Sequence, residues 1–169
     1  MKLKQYKKSL NKPLRKCTLC LLRRNNQVLL AMKKRGFGVG RWNGIGGKQK
    51  ENETIEETVI RETQEEIGVI PKKVSQIATL NFYFPTIPME KDWNQQVLVY
   101  FVDEWEGEPT ESEEMAPSWF DFKDIPFDSM WQDDIHWLPK ALKGSLLTGH
   151  FMFDKDQNLE EFEVTEGSF

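Results

Sequence analysis

Short apolar runs punctuate most of the chain, and one stretch repeats apolar residues at helical spacing. Residues 17–22 and 27–32 read as two strands joined by Arg24-Asn25-Asn26, a hairpin turn because asparagine tolerates positive φ. Residues 54–67 read as a helix: at about 100° per residue, Ile55, Val59, Ile60, Thr63 and Ile67 share one side. Thr54 and Glu57 form a capping box at its start, Gly68 is a natural stop, and Pro71 follows closely. Further strands are predicted at 75–84 and 96–102, with a shorter one at 118–122. Residues 85–94, with two prolines and mixed charge, read as a loop or an irregular hairpin tip, and residues 107–117 as an acidic loop. Residues 133–147 look helical, with Pro139 either kinking that helix or falling in its first turns. Residues 151–153 and 159–164 predict a closing hairpin across 154–158. Strand pairs, a helix, more strands and a late helix make an α+β fold with helices packed on a mixed sheet.

Charge adds a division that the apolar pattern does not show. The formal net charge is −4, yet the first sixteen residues carry seven cations (Lys2, Lys4, Lys7, Lys8, Lys12, Arg15, Lys16) and no acid, so subtracting those seven leaves −11 on the remainder. The division is a basic arm at 1–16 followed by a single domain at 17–169, since 169 residues suit one core better than two. The arm reads most simply as a solvated, frayed terminus, and more sharply as a tether to nucleic acid or membrane. An acidic body argues against a duplex nucleic-acid face, which needs cations to neutralise phosphates. No membrane partner is expected either, because the apolar run at 19–22 is ended at once by Arg23 and Arg24. A cytoplasmic monomer is the expectation. Cys17 and Cys20 form a Cys-x-x-Cys pair, but positions three apart on a strand face opposite ways, so they read as ordinary strand residues.

Candidate chemistry concentrates in the middle of the chain. Six of the eleven glycines fall between Gly36 and Gly47, which implies close backbone approach or several positive-φ turns. The loop matches neither common phosphate motif: no third glycine completes a dinucleotide fingerprint, and Lys48 is followed by Gln49 rather than Ser or Thr. The helix after it places Glu62, Glu65 and Glu66 together on the flank of its apolar stripe, where like charges disfavour the helix. A solvated acidic face is the bland account. Three carboxylates beside an apolar boundary are also what a hard divalent cation requires. Arg61 stands beside them and can pair with Glu53 or Glu65.

Gly47, Glu53 and then Arg61-Glu62-Thr63-Gln64-Glu65-Glu66-Ile67-Gly68-Val69 resemble the Nudix box, G-x5-E-x7-R-E-U-x-E-E-x-G-U, where U is aliphatic. The one departure is Thr63 at an aliphatic position. The resemblance runs from about residue 18 to 164 and implies a Nudix fold, a mixed sheet between helices in an α/β/α sandwich. Residues 32–44, the Trp131-Gln132-Asp133-Asp134 run and the acidic segment 111–115 are similar to the MutT-type Nudix hydrolases that act on oxidised purine nucleoside triphosphates.

Carried over residue by residue, the resemblance implies magnesium, with manganese able to substitute, held by the Gly46 carbonyl and Glu62, Glu65, Glu66 and Glu114. It implies catalysis by Glu62, Glu65 and Glu66. It implies a purine site from Thr18, Lys33, Phe37, Asn43, Ile45, Gly46, Gly47, Lys48, Phe82, Phe84, Trp131, Gln132, Asp133 and Asp134. Taken singly, Trp131 reads as a core aromatic, Asp133-Asp134 as a helix N-cap pair and Asn43 as a turn residue; their occurrence together with the box favours a site. The implied activity is hydrolysis of modified purine nucleoside triphosphates such as 8-oxo-dGTP or 2-oxo-dATP to the monophosphate and pyrophosphate. The alternatives are a Nudix hydrolase of another nucleoside diphosphate derivative and a non-catalytic nucleotide sensor. Segment 85–96 is longer than in the enzymes it resembles, and Gln95 stands where they carry an apolar pocket residue, which bears on the preferred base.

Overall fold

The computed structural model describes residues 2–167. Strand β1 (Arg15–Arg24) and β2 (Gln27–Lys33) meet only at their hairpin, where Arg24 pairs with Gln27 and Asn25 takes φ 52°. Beyond the turn they diverge, and the end of the glycine-rich loop is wedged between them. Its two-residue strand β3 (Trp42–Asn43) pairs with β2, while Ile45 exchanges backbone hydrogen bonds with Cys20 of β1 and the Gly47 carbonyl accepts from the Thr18 N–H. Strands β4 (Ile70–Tyr83), β5 (Gln95–Glu106), β6 (Met115–Asp121), β7 (Leu147–Phe153) and β8 (Leu159–Glu166) complete a mixed sheet of order β3-β2-β1-β5-β4-β7-β8, with β6 on the other edge of β2. The β1–β5 and β4–β7 pairs are parallel and the others antiparallel.

Alternation along these strands feeds two apolar layers. Cys17 and Leu21 face the layer that receives Trp137, Leu138 and Ala141 of α3 (Asp134–Leu142). Cys20 and Leu22 face the opposite layer, under Val59 and Ile67 of α2 (Ile55–Ile67). The two thiols are accordingly free and separated by the sheet. Val59 and Ile67 are essentially inaccessible (0% and 1% exposed), and each such side chain stabilises the fold by about 1.5–3 kcal/mol. Helix α2 carries the expected cap: Thr54 Oγ1 accepts from the Glu57 N–H, the Glu57 carboxylate accepts from the Thr54 N–H, and Gly68 ends the helix at φ 72°. Its buried face is centred nearer Glu66 than the apolar residues predict, so Thr58 is enclosed and Ile60 lies at the margin. Thr63, at the box's aliphatic position, is fully buried and satisfies its hydroxyl by donating to the Val59 carbonyl at 2.7 Å.

Three differences from the sequence reading have local causes. The arm is not frayed: residues Leu3–Ser9 form helix α1, and Leu3 and Tyr6 are buried against Tyr83 and Met152, while Arg15 and Lys16 belong to β1. Four lysines masked a short helix whose two apolar residues lie three apart. Strands β4 and β5 extend beyond their apolar cores because Lys73 and Glu104 continue the ladder and Lys72 pairs with Glu106 at 3.1 Å. Helix α3 stops at Leu142, five residues early, as the chain turns at Gly144 (φ 103°) and β7 begins at Leu147. Pro139 lies within that short helix.

Candidate functional site

The wedge between β1 and β2 sets the site. Gly46 and Gly47 lie against β1, and a β-carbon on Gly46 would overlap the Thr18 carbonyl. At Gly47 a β-carbon would come within 2.5 Å of the Glu62 carboxyl carbon, so the box glycine lets that acid lie against the loop backbone. On one side of this wall opens a cavity of about 280 Å³, floored by strand residues and roofed by aromatic rings. On the other side lies an acidic recess framed by Glu62, Glu65, Glu66 and Glu114. Lys33, Gly46 and Gly47 line both.

Twelve of the fourteen residues expected in the purine site line the first cavity: Thr18, Lys33, Phe37, Asn43, Gly46, Gly47, Lys48, Phe82, Phe84, Trp131, Asp133 and Asp134. Two do not. Ile45 is fully buried in the α2 layer, because alternation turns it to the opposite side from its glycine neighbours. Gln132 is exposed between Trp131 and Asp133 and ties down the β7–β8 turn, donating to Asn158 Oδ1 and accepting from the Leu159 N–H, both at 2.8 Å. Arg15, Gln95, Val97, Met115 and Phe153 also line the cavity. Only Gln95 carried a sequence signal, its place in an alignment; Arg15 was hidden in the basic arm.

Polar groups in the cavity are few and directed. Asn43 Oδ1 accepts from the Gly44 N–H at 2.9 Å, which leaves its amide as a donor to a ligand. Asp133 and Asp134 are 2% and 4% exposed and both accept from Trp137 Nε1, at 3.0 and 3.2 Å. Asp134 Oδ2 has no hydrogen-bond partner, and Asp133 makes no side-chain cap to α3. Burial raises both carboxyls well above the usual range, and the charge of Asp133 raises Asp134 further. One can stay protonated beside an ionised partner, so the pair offers a donor and an acceptor together. Trp131 lies 5.1 Å from Phe37 between ring centroids, with the Arg41 guanidinium 4.1 Å over its ring.

The raised pKa of each member of this pair fixes a sign. The stability they contribute is fully present below about pH 4, where both are protonated folded or unfolded, and is lost as pH rises through their elevated folded values. Asp134→Asn removes that loss. The melting temperature of the variant, compared with the parent at pH 5 and at pH 8, is expected to show a larger advantage at pH 8. A pH-independent difference would contradict the assignment.

In the acidic recess, Arg61 ties three of the acids together. Its Nε and Nη2 donate to Glu53 at 2.6 and 3.0 Å, its Nη1 to Glu62 at 2.8 Å and Glu65 at 3.2 Å, and Nη2 also to the Lys48 carbonyl at 3.0 Å. Glu53 is held down to about 2 by Arg61 and by the Thr58 hydroxyl, and so stays ionised as an anchor between loop and helix. Glu66 differs. It is 7% exposed, its Oε2 has no hydrogen-bond partner, and burial with the charges of Glu62 and Glu114 pushes it up to about 8 against the pull of Lys33. Arg35 reaches Glu114 at 3.3 Å from across the recess. The acids frame the recess without closing on one point among the described residues, as mutually repelling charges held by Arg61 and Arg35 must. An orphaned buried carboxylate oxygen among three further carboxylates fits a hard divalent cation, which prefers oxygen ligands.

The chain is similar to known proteins in sequence and in fold. Residues 13–141 match the family described as NUDIX domain. The chain is 42% identical over 149 residues to the oxidized purine nucleoside triphosphate hydrolases of Mus musculus and of Danio rerio, covering 88% of this chain and 93% of each of those proteins. A MutT protein from Bacillus halodurans is similar in structure, with a TM-score of 0.76 and 28% identity over 89% of this chain and 97% of that one.

Proposed function

The chain belongs to the Nudix family, and from that premise we propose that it hydrolyses oxidised or otherwise modified purine nucleoside triphosphates, such as 8-oxo-dGTP or 2-oxo-dATP, to the monophosphate and pyrophosphate. The observation that carries the reading is the shared wall. A cavity of aromatic rings and paired aspartates opens across Lys33, Gly46 and Gly47 into a recess of four glutamates. A purine seated in the first puts its phosphates in the second.

Each residue then has a task. Trp131 offers a stacking face, and Asn43 with Asp133 and Asp134 reads the base edge. The protonated member of the aspartate pair donates where an oxidised or tautomerised purine presents an acceptor, and its partner accepts from a ring N–H. Lys33, common to both recesses, places a cation beside the phosphate chain. Glu62, Glu65, Glu66 and Glu114, with the Gly46 carbonyl, would hold magnesium, for which manganese can substitute. A divalent ion held there would neutralise phosphate oxygens and acidify the attacking water. One of Glu62, Glu65 and Glu66 takes the proton of that water. The new P–O bond forms as the bridge between the α and β phosphorus atoms breaks, and pyrophosphate leaves. The cleansing of a nucleotide pool by a cytoplasmic monomer completes the reading.

Steady-state release of pyrophosphate from 8-oxo-dGTP, 2-oxo-dATP, methylated purine triphosphates and dGTP tests it. At least one modified purine is expected to exceed dGTP by about tenfold or more in kcat/KM, the scale that a few directed polar contacts provide. Equal values on oxidised and normal dGTP would remove the sanitising function and leave a general hydrolase.

A further inference from the structure

We propose that helix α1 is a positioning element of the base pocket, acting through a Tyr6–Asn94 contact that sets the pocket wall from behind. The inference rests on the purine reading above. Asn94 sits at the end of the long segment that joins β4 to β5, and it is 8% exposed. Its Oδ1 accepts from the Phe84 N–H at 2.7 Å and its Nδ2 donates to the Tyr6 hydroxyl at 2.8 Å. One amide thereby ties the end of β4, the start of β5 and the N-terminal helix.

The residues on either side of Asn94 face the other way, as neighbours in extended chain do. Gln95 lines the cavity, and its amide donates to the Trp93 carbonyl at 3.2 Å. The Trp93 ring lies 4.7 Å from Phe37 and 5.5 Å from Phe84, two rings of the same cavity. Tyr6 is itself fixed: 7% exposed, it meets the Tyr83 ring edge-on at 6.1 Å. Residues 10–14 continue along the same segment and enclose a crevice with Pro88 and Trp93, and Lys12 reaches Asp92 at 3.6 Å. The basic arm is thus bonded to the backbone that carries Trp93, Gln95 and Phe84. No atom of Tyr6 or Asn94 lines the cavity, so both are positioning residues.

Tyr6→Phe deletes the hydroxyl and keeps the ring on Tyr83. In the full-length protein it is expected to raise KM for 8-oxo-dGTP about five- to twentyfold, the effect of leaving one buried donor unmatched, with kcat changed less than about twofold. It is also expected to lower the preference for 8-oxo-dGTP over dGTP, a ratio that general loosening of the fold would leave in place. Asn94→Ala should shift KM at least as far, and the double variant should come close to Asn94→Ala alone, because the hydroxyl's other partner is the weak acceptor Met89 Sδ at 3.7 Å. Equilibrium binding of 8-oxo-dGMP and dGMP reads the same contact without turnover. Unchanged KM, affinity and preference in Tyr6→Phe, or an effect that adds to that of Asn94→Ala, overturns the proposal. A parent protein that treats oxidised and normal purines alike overturns the functional reading instead, and one that binds neither overturns both.

Discussion

Replacing Glu66 by glutamine is expected to cut hydrolysis about 10²–10⁴-fold while making the metal-free protein more stable. The two effects share one cause. Glu66 is buried beside Glu62 and Glu114 with an oxygen that no donor satisfies, an arrangement that a folded chain tolerates only where the charge is used. Glutamine keeps the shape, removes the cost of protonating or burying that carboxylate, and supplies an amide that can donate to the neighbouring carboxylates. The gain should be on the order of 1–2 kcal/mol, which corresponds to roughly 2–8 °C for a chain of this size. Pyrophosphate release in the presence of magnesium and a thermal melt in the presence of chelator measure both. Undiminished turnover takes Glu66 out of the reaction. A lower melting temperature means that the carboxylate stabilises the fold where it stands.

Trp131→Ala is expected to act on the other half of the reaction. A base stacked on an aromatic ring is worth about 1–3 kcal/mol, so KM should rise about 5- to 150-fold. The side chain lines the base cavity and not the acidic recess, so kcat should stay within a few-fold. Trp131→Phe, which retains a ring beside Phe37 and Phe153, should recover most of the loss. A fall in kcat at constant KM would show that Trp131 orders the reacting phosphates rather than the base.

The two halves differed in how plainly the sequence announced them. Helix α2 was legible almost to the residue, because a capping box, a terminal glycine and three glutamates beside an apolar stripe are all local features. The base cavity was legible only through resemblance, since Asn43, Phe82 and the Trp131–Asp134 run come from three separate segments and no spacing rule links them. Ile45 and Gln132 show the limit of carrying a motif over as a block. Within a run of site residues, backbone alternation turns one into the core, and a turn points the other to solvent. Arg15 and Tyr6 were missed for a different reason. In a segment dense with lysines, a single buried tyrosine and a cavity-lining arginine give no periodic signal, and only the tertiary contact with Asn94 makes sense of the arm.

The floor of the base cavity also sets how much of the chain must assemble before the cavity exists. It is paved by β1, β5, β4 and β7, and two of those joins are parallel: Thr18 lies beside Leu98, and Leu80 beside Gly149. Neither join can form by a hairpin, so each must close a long loop of chain before any contact rewards it. The acidic helix, capped by its own neighbours, needs no such closure. The base cavity therefore exists only once segments about eighty and about seventy residues apart in the chain have met, whereas α2 is built from neighbours in sequence.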